Sequence, residues 1–193
     1  GEQVTSALLA IALESLKIKA RSWLGWQVPI ISDKSYGKAV IEDIKTDQIL
    51  EFFNKNQVAI VSGFQGVSDE NRITTLGRGG SDTSAVAIAA SFSADRCDIY
   101  TDVDGVYTTD PRIVKSAKKL DIITYEEMLE LASQGAKVLQ TRSVALAMKY
   151  NVKLRVLSSF EDVPGTSIIK EESKMEKSEI SGIAHSLNEA KIT

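Results

Sequence analysis

The sequence has 193 residues, 43% of them hydrophobic and 25% charged, which supplies one sizeable globular core with at most a small appendage. A net charge of -3 argues against a general nucleic-acid binder, and one cysteine with one histidine leaves no internal disulfide and no Cys/His zinc cluster. No apolar run approaches the ~20 residues that span a bilayer, and no basic-then-apolar leader opens the chain, so a soluble cytoplasmic protein with neither nucleic acid nor membrane as partner is expected.

In chain order, residues 2–19 carry apolar side chains at Val4, Leu8, Leu9, Ile11, Ala12, Leu13 and Leu16 with helical spacing. They predict an amphipathic helix with Glu14, Lys17 and Lys19 on its wet side. Residues 27–32 and 39–44 read as short strands around a turn-rich run at 33–37, and 46–54 as a short helix. Val58-Ala59-Ile60-Val61 is a continuous apolar run of the kind buried on both faces of a parallel sheet. It ends in Ser62-Gly63-Phe64-Gln65-Gly66, at the strand edge where open α/β sheets bind ligands.

The next stretch, Thr74-Thr75-Leu76-Gly77-Arg78-Gly79-Gly80-Ser81-Asp82, organises the chain. Three glycines permit positive φ and close approach, and a helix follows over about 81–92. Its first amides have no internal partner and favour an anion by ~0.3–1 kcal/mol. Ser81 is a natural N-cap here. Arg78 offers a planar fork to a carboxylate or phosphate. The competing reading is a glycine-rich surface turn before an ordinary capped helix. The dinucleotide and P-loop fingerprints do not fit, since the third glycine of the first falls on Asp82 and the second is absent.

Residues 98–101 read as another buried strand, ending in Thr101-Asp102-Val103-Asp104-Gly105-Val106-Tyr107 and Asp110-Pro111-Arg112. That run suits either a hairpin turned at Asp104-Gly105 or a nucleotide-binding loop. Thr124-Tyr125-Glu126-Glu127 is a capping box that opens a helix with Met128, Leu129, Leu131 and Ala132 inward, ended by Gly135. A further helix is expected over 137–150 with Val138, Leu139, Ala145, Leu146 and Met148 inward. Lys137 at its start opposes the helix dipole and suits a nearby negative charge. A strand at 154–157 and a Pro164-Gly165-Thr166 turn into 167–169 complete the ordered pattern, before a charged stretch from Lys170. The fold class expected is α/β, a three-layer α/β/α sandwich around a mostly parallel sheet.

Taken together, the helix opened by Gly1-Glu2, Ser62-Gly63-Phe64, the glycine-arginine run, the Thr-Asp-Val-Asp-Gly-Val-Tyr run, Asp110-Pro111-Arg112 and Pro164-Gly165-Thr166 resemble the aspartate kinases of the amino-acid kinase superfamily. The resemblance runs from Gly1 to about Ile169. It implies ATP-dependent phosphorylation of the side-chain carboxylate of L-aspartate, the step that begins lysine, threonine and methionine biosynthesis. It assigns Glu2 to the substrate ammonium and Arg78 to a substrate carboxylate. Gly79, Gly80 and Ser81 go to the phosphates, and Asp82 to orienting the cationic groups around the transferring phosphoryl. Thr101, Asp102, Tyr107 and Arg112 hold the nucleotide, and Lys137 stabilises phosphate charge. It implies Mg2+ held mainly by the phosphates, with no protein metal site, and a homo-oligomer, a dimer, for the full-length protein.

The resemblance divides the chain into a catalytic portion at 1–170, a charged linker at 171–179 and the start of a regulatory, allosteric ACT domain at 180–193. The family's opening Lys-x-Gly-Gly strand has no counterpart here, so a chain truncated at its amino end and of little activity by itself is expected. The alternatives are another amino-acid kinase, of the acetylglutamate or glutamate type, and a non-catalytic regulatory or assembly fragment.

Overall fold

The computed structural model describes residues 1–135, 138–171 and 182–183. The chain divides after Phe92 into two compact units. The first contains α1 (Glu2–Ser15), β1 (Ala20–Trp23), β2 (Ile30–Ser32), β3 (Ile41–Ile44), α2 (Asp47–Phe53), β4 (Val58–Val61), β5 (Gln65–Val67), β6 (Ile73–Thr75) and α3 (Gly80–Ser91). β1 and β4 pair in parallel with Trp23 opposite Val61. The other four strands form a sheet in the order β3-β2-β5-β6, parallel only between β2 and β5.

Four features depart from the sequence-based expectations. α1 stops at Ser15, because Lys17 takes a left-handed φ of 61° and the Ile18 and Lys17 amides return to the Leu13 and Glu14 carbonyls, a Schellman closure. The side of α1 that is buried is also not the apolar one. Ser6 and Ala10 face inward, while Val4, Leu8, Leu9 and Leu16 are exposed and Ile11 is 66% exposed. β4 is not buried on both faces either: Val58 is 40% exposed and Ala59, Ile60 and Val61 are half-buried. β1, β5 and β6 have no counterpart in the sequence reading, which took Gln65 and Gly66 of β5 as part of the loop after β4.

The second unit contains β7 (Cys97–Thr101), β8 (Ile122–Thr124), α4 (Tyr125–Ser133), α5 (Thr141–Tyr150), β9 (Leu154–Ser158) and β10 (Thr166–Ile169). Its sheet order is β7-β9-β10-β8, with β7-β9 and β10-β8 parallel and β9-β10 antiparallel. The capping box forms as expected: the Thr124 hydroxyl accepts from the Glu127 amide, and the Glu127 carboxylate accepts from the Thr124 amide at 2.8 Å. Met128 and Leu131 of α4 are buried, with Leu129 and Ala132 half-buried. Tyr125 is buried too, its hydroxyl donating to the Val152 carbonyl at 2.7 Å.

α5 begins at Thr141 and not at 137, and buries Ser143, Val144 and Ala147. Leu139 is buried as expected and Val138 and Leu146 are half-buried, but Ala145 is exposed and Met148 is 41% exposed. Lys137 lies outside the described residues, as do the 171–179 linker apart from Glu171 and the expected ACT segment apart from Gly182 and Ile183. The α/β class and the predominance of parallel pairs agree with the expectation: among the described residues, four of the seven strand pairs are parallel. Among the described residues, no helix is long and apolar enough to cross a membrane.

Candidate functional site

In the first unit the site is built where β4 ends. The Ser62 amide continues the β1–β4 ladder to the Trp23 carbonyl at 2.8 Å, and the chain then turns sharply through Gly63 and Phe64. Gly63 lets the chain pass close to α3, since a Cβ would stand 2.9 Å from the Ser84 hydroxyl. Phe64 itself holds a φ of 68°, a costly conformation for an aromatic residue. The amino end of α1 is tied to this region by three side-chain pairs. The Ser6 and Ser62 hydroxyls, both buried, lie 2.7 Å apart; Gln3 donates to Gln65 at 3.2 Å; and the Ser81 hydroxyl donates to Glu2 Oε1 at 3.1 Å.

That last bond corrects the expected role of Ser81. The N-cap of α3 is Gly79, in left-handed conformation at φ 69° and without a side-chain cap, which frees the serine hydroxyl to reach across to α1. The Gly80 and Thr83 amides return to the carbonyls of Gly77 and Gly79, while the Ser81 amide has no acceptor among the described residues. Gly80 is hemmed in, since a Cβ would meet Phe64 at 2.8 Å and Leu76 at 3.0 Å. Arg78 is exposed and makes no hydrogen bond or ion pair among the described residues. Asp82 is half-buried in the first turn of α3. The structure thus gathers Glu2, Gly79, Gly80, Ser81 and Asp82 at one helix mouth, with Arg78 on the loop leading into it. An uncommitted guanidinium, unsatisfied amide hydrogen and a carboxylate suit a small ligand bearing both charges.

In the second unit the loop after β7 carries the other residues singled out by motif. Thr101 donates to Asp102 at 3.1 Å, and Arg112 grips Asp110 through two nitrogens at 3.0 and 2.7 Å. Arg112 is therefore committed within its own motif here. Asp104-Gly105 does not turn a hairpin. Instead Tyr107 bridges Lys119 in antiparallel sense, with the Leu120 amide on the Val106 carbonyl and the Thr108 amide on Lys118, so residues 106–108 run beside 118–120.

Asp104 accepts from the Tyr107 hydroxyl and from Lys119. Burial pushes its carboxyl upward, but the Lys119 and Tyr107 hydrogen bonds outweigh burial and hold it below the usual carboxylate range. The same bond, seen from Tyr107, raises the phenol above its ordinary value. The Thr166 hydroxyl accepts from the Val106 amide at 2.7 Å and donates to the Leu120 carbonyl at 2.6 Å, tying the loop to β10.

Sequence reasoning did not single out Ser6, Gln3 or Lys119, and it named Ser62 and Gln65 only as members of the loop after β4. Small polar residues inside apolar runs were the available signal for the two serines, and none marks Lys119. Two open grooves are present, the second-unit one bordering the Lys119 partner Pro164. One of about 480 Å³, in the second unit, runs beside Tyr100, Leu157 and Glu161; the other, of about 620 Å³ in the first, runs beside Trp26, Ile31 and Ile73. Among the described residues no group of three His, Cys, Asp or Glu side chains is placed to hold a metal.

Residues 1–158 match the model of the amino acid kinase family. An aspartate kinase of Pseudomonas fluorescens is 57% identical over 194 residues, covering 100% of this chain and 47% of its own length. An aspartokinase of Rickettsia conorii is 50% identical over 194 residues, covering 100% and 48%. The chain thus spans about half the length of the curated relatives it matches. Among solved structures, E. coli aspartokinase III in complex with aspartate and ADP superposes with a TM-score of 0.83 at 33% identity, over 90% of this chain and 40% of that one. UMP kinase from Bacillus anthracis, at 20% identity and a TM-score of 0.62 over 88% of this chain and 66% of its own, shares the fold alone.

Proposed function

The chain belongs to the amino acid kinase family, and from that premise we propose that the protein carrying it is an aspartate kinase, transferring the γ-phosphoryl group of ATP to the side-chain carboxylate of L-aspartate. The observation that carries this reading is the Ser81–Glu2 hydrogen bond: it holds a carboxylate at the glycine-lined mouth of α3, close in sequence to an exposed arginine with no partner among the described residues. A zwitterionic acid presents the complementary charges. Glu2 takes the ammonium and Arg78 a carboxylate, and the amides of Gly79, Gly80 and Ser81 take phosphoryl oxygens. Asp82 orients cationic groups there. Thr101, Asp102, Tyr107 and Arg112 serve the nucleoside, Arg112 by exchanging Asp110 for the ligand, and Lys137 serves phosphate charge.

A side-chain carboxylate oxygen attacks the γ-phosphorus, the bond to the β,γ-bridging oxygen breaks, and 4-phospho-L-aspartate and ADP result. The nucleophile is already anionic, so positioning and charge stabilisation suffice and no histidine base is needed. Mg2+ arriving with ATP would neutralise charge on the transferring group. The same reading gives a cytoplasmic, dimeric, end-product-regulated enzyme at the head of lysine, threonine and methionine biosynthesis.

The test is ADP release by the full-length protein offered L-aspartate, L-glutamate and N-acetylglutamate in turn. Aspartate-dependent release is expected, and turnover of either other acid without aspartate turnover overturns the assignment. Arg78→Ala should raise the Michaelis constant for aspartate by about 10- to 100-fold through loss of a charge-assisted contact; an unchanged constant removes Arg78 from the site.

A further inference from the structure

The loop bearing Tyr107 is braced by two side chains to which neither the motifs nor the proposed chemistry gives a role. Asp104 accepts the Tyr107 hydroxyl at 3.0 Å on Oδ1 and 3.2 Å on Oδ2. It also accepts the Lys119 ammonium at 3.1 Å. Lys119 donates again to the Pro164 carbonyl at 2.6 Å, and its backbone bridges that of Tyr107. Both charged partners are largely withdrawn from water, with side-chain exposures of 30% for Asp104 and 25% for Lys119. Gly105 makes room for the brace, since a Cβ there would stand 2.6 Å from the Thr166 hydroxyl and 3.0 Å from Lys119 Cδ.

We propose that Asp104, anchored by Lys119, is a positioning residue for nucleotide binding: it holds the Tyr107 hydroxyl and so fixes the ring before the nucleotide arrives. This rests on the nucleotide role assigned to Tyr107 above. The physical argument is preorganisation. A tyrosine on a loop whose hydroxyl is free samples several orientations, and a ligand that needs one of them loses affinity in proportion. A carboxylate acceptor between a phenol and an ammonium makes charge-assisted bonds to both, stronger than neutral ones. The groups acting on the phenol are Asp104 and burial, which raise its pKa and hold it un-ionised, with Glu161 adding and Lys119 opposing.

The experiment uses Asp104→Ala, Tyr107→Phe and the double variant in the full-length protein, with calorimetric Mg-ATP binding, steady-state kinetics and ultraviolet titration of tyrosinate. Each single variant should weaken Mg-ATP by about tenfold, the scale of one hydrogen bond to a charged group. The double variant should lose no more than Tyr107→Phe alone, because Asp104 acts only through that hydroxyl. The Michaelis constant for ATP should rise by the same factor while that for aspartate holds. In Asp104→Ala, one phenol, absent from Tyr107→Phe, should titrate at lower pH than in the wild type.

Additive losses in the double variant, or wild-type affinity in Asp104→Ala, overturn the brace. Should Asp104→Ala fail to fold, Tyr107→Phe decides, and unchanged affinity there overturns the proposal. A wild-type protein that binds no Mg-ATP overturns the nucleotide role of Tyr107 itself, and the proposal with it.

Discussion

Thr166→Val removes a single oxygen from the centre of the second unit and nearly preserves shape. Thr166 is fully buried, and its hydroxyl accepts from the Val106 amide and donates to the Leu120 carbonyl. Val106 is 2% exposed, so its amide cannot turn to water, and a buried donor left unsatisfied costs ~1–3 kcal/mol. Leu120 is half-buried and its carbonyl can be rehydrated, so only the net value of that bond is lost, ~0.5–1.5 kcal/mol. The added buried methyl returns ~0.8 kcal/mol. The balance is a destabilisation of roughly 0.7–3.7 kcal/mol, read as the difference in unfolding free energy by urea titration followed by circular dichroism. Hydrogen exchange at the Val106 amide should accelerate in the same variant. Thr166→Ser keeps both bonds and should lose only the value of one methyl, ~1 kcal/mol. A Thr166→Val protein within ~0.5 kcal/mol of wild type, with Val106 exchange unchanged, would refute the reasoning, because surface-like indifference is incompatible with an orphaned buried amide.

Three further outcomes follow from burial and charge. In this chain Ile11→Ala should change unfolding free energy by less than ~0.5 kcal/mol because the side chain is exposed. Ala147→Leu on α5, at a fully buried position, should cost ~1–3 kcal/mol by overpacking. A loss of ~2 kcal/mol or more at Ile11 would mean α1 packs through its apolar side after all. Asp98 on β7 pairs with Arg155 directly opposite on β9 through two bonds of 2.8 and 2.6 Å. The Arg155 hydrogen bond, ahead of the opposing effect of burial and with help from Arg96, lowers its carboxyl below the ordinary value. A depressed folded-state value contributes stability that is present above the unfolded value of about 3.9 and is lost as pH falls through the folded one. The urea midpoint should therefore drop on acidification below about pH 4 more steeply in wild type than in Asp98→Asn; equal slopes would show that the pair does not couple to folding.

The sequence by itself determined the features whose cause is local. The capping box at Thr124 and Glu127 needs only residues three apart, and it formed as read. β7 and β9 were legible from their alternation, with Cys97 and Ile99, and Leu154 and Val156, buried between more exposed neighbours, and Gly77 and Gly79 of the α3 mouth because positive φ selects glycine. The resemblance rested on the glycines of that mouth together with the Thr101 to Tyr107, Asp110-Pro111-Arg112 and Pro164-Gly165-Thr166 motifs, which is why the family could be seen before any coordinate.

Only the tertiary structure decided matters that depend on a partner distant in the chain. Periodicity found the helix at α1 but could not choose its buried side. Ser6 faces inward because Ser62 waits there with a matching hydroxyl, and the apolar residues turn out. Ser81 was as good a cap as any serine, yet Glu2, brought to it by the fold, and a left-handed glycine two residues earlier took the hydroxyl elsewhere. Lys119 carried no signal at all, because an ammonium acquires meaning only from the carboxylate and carbonyl that packing sets beside it.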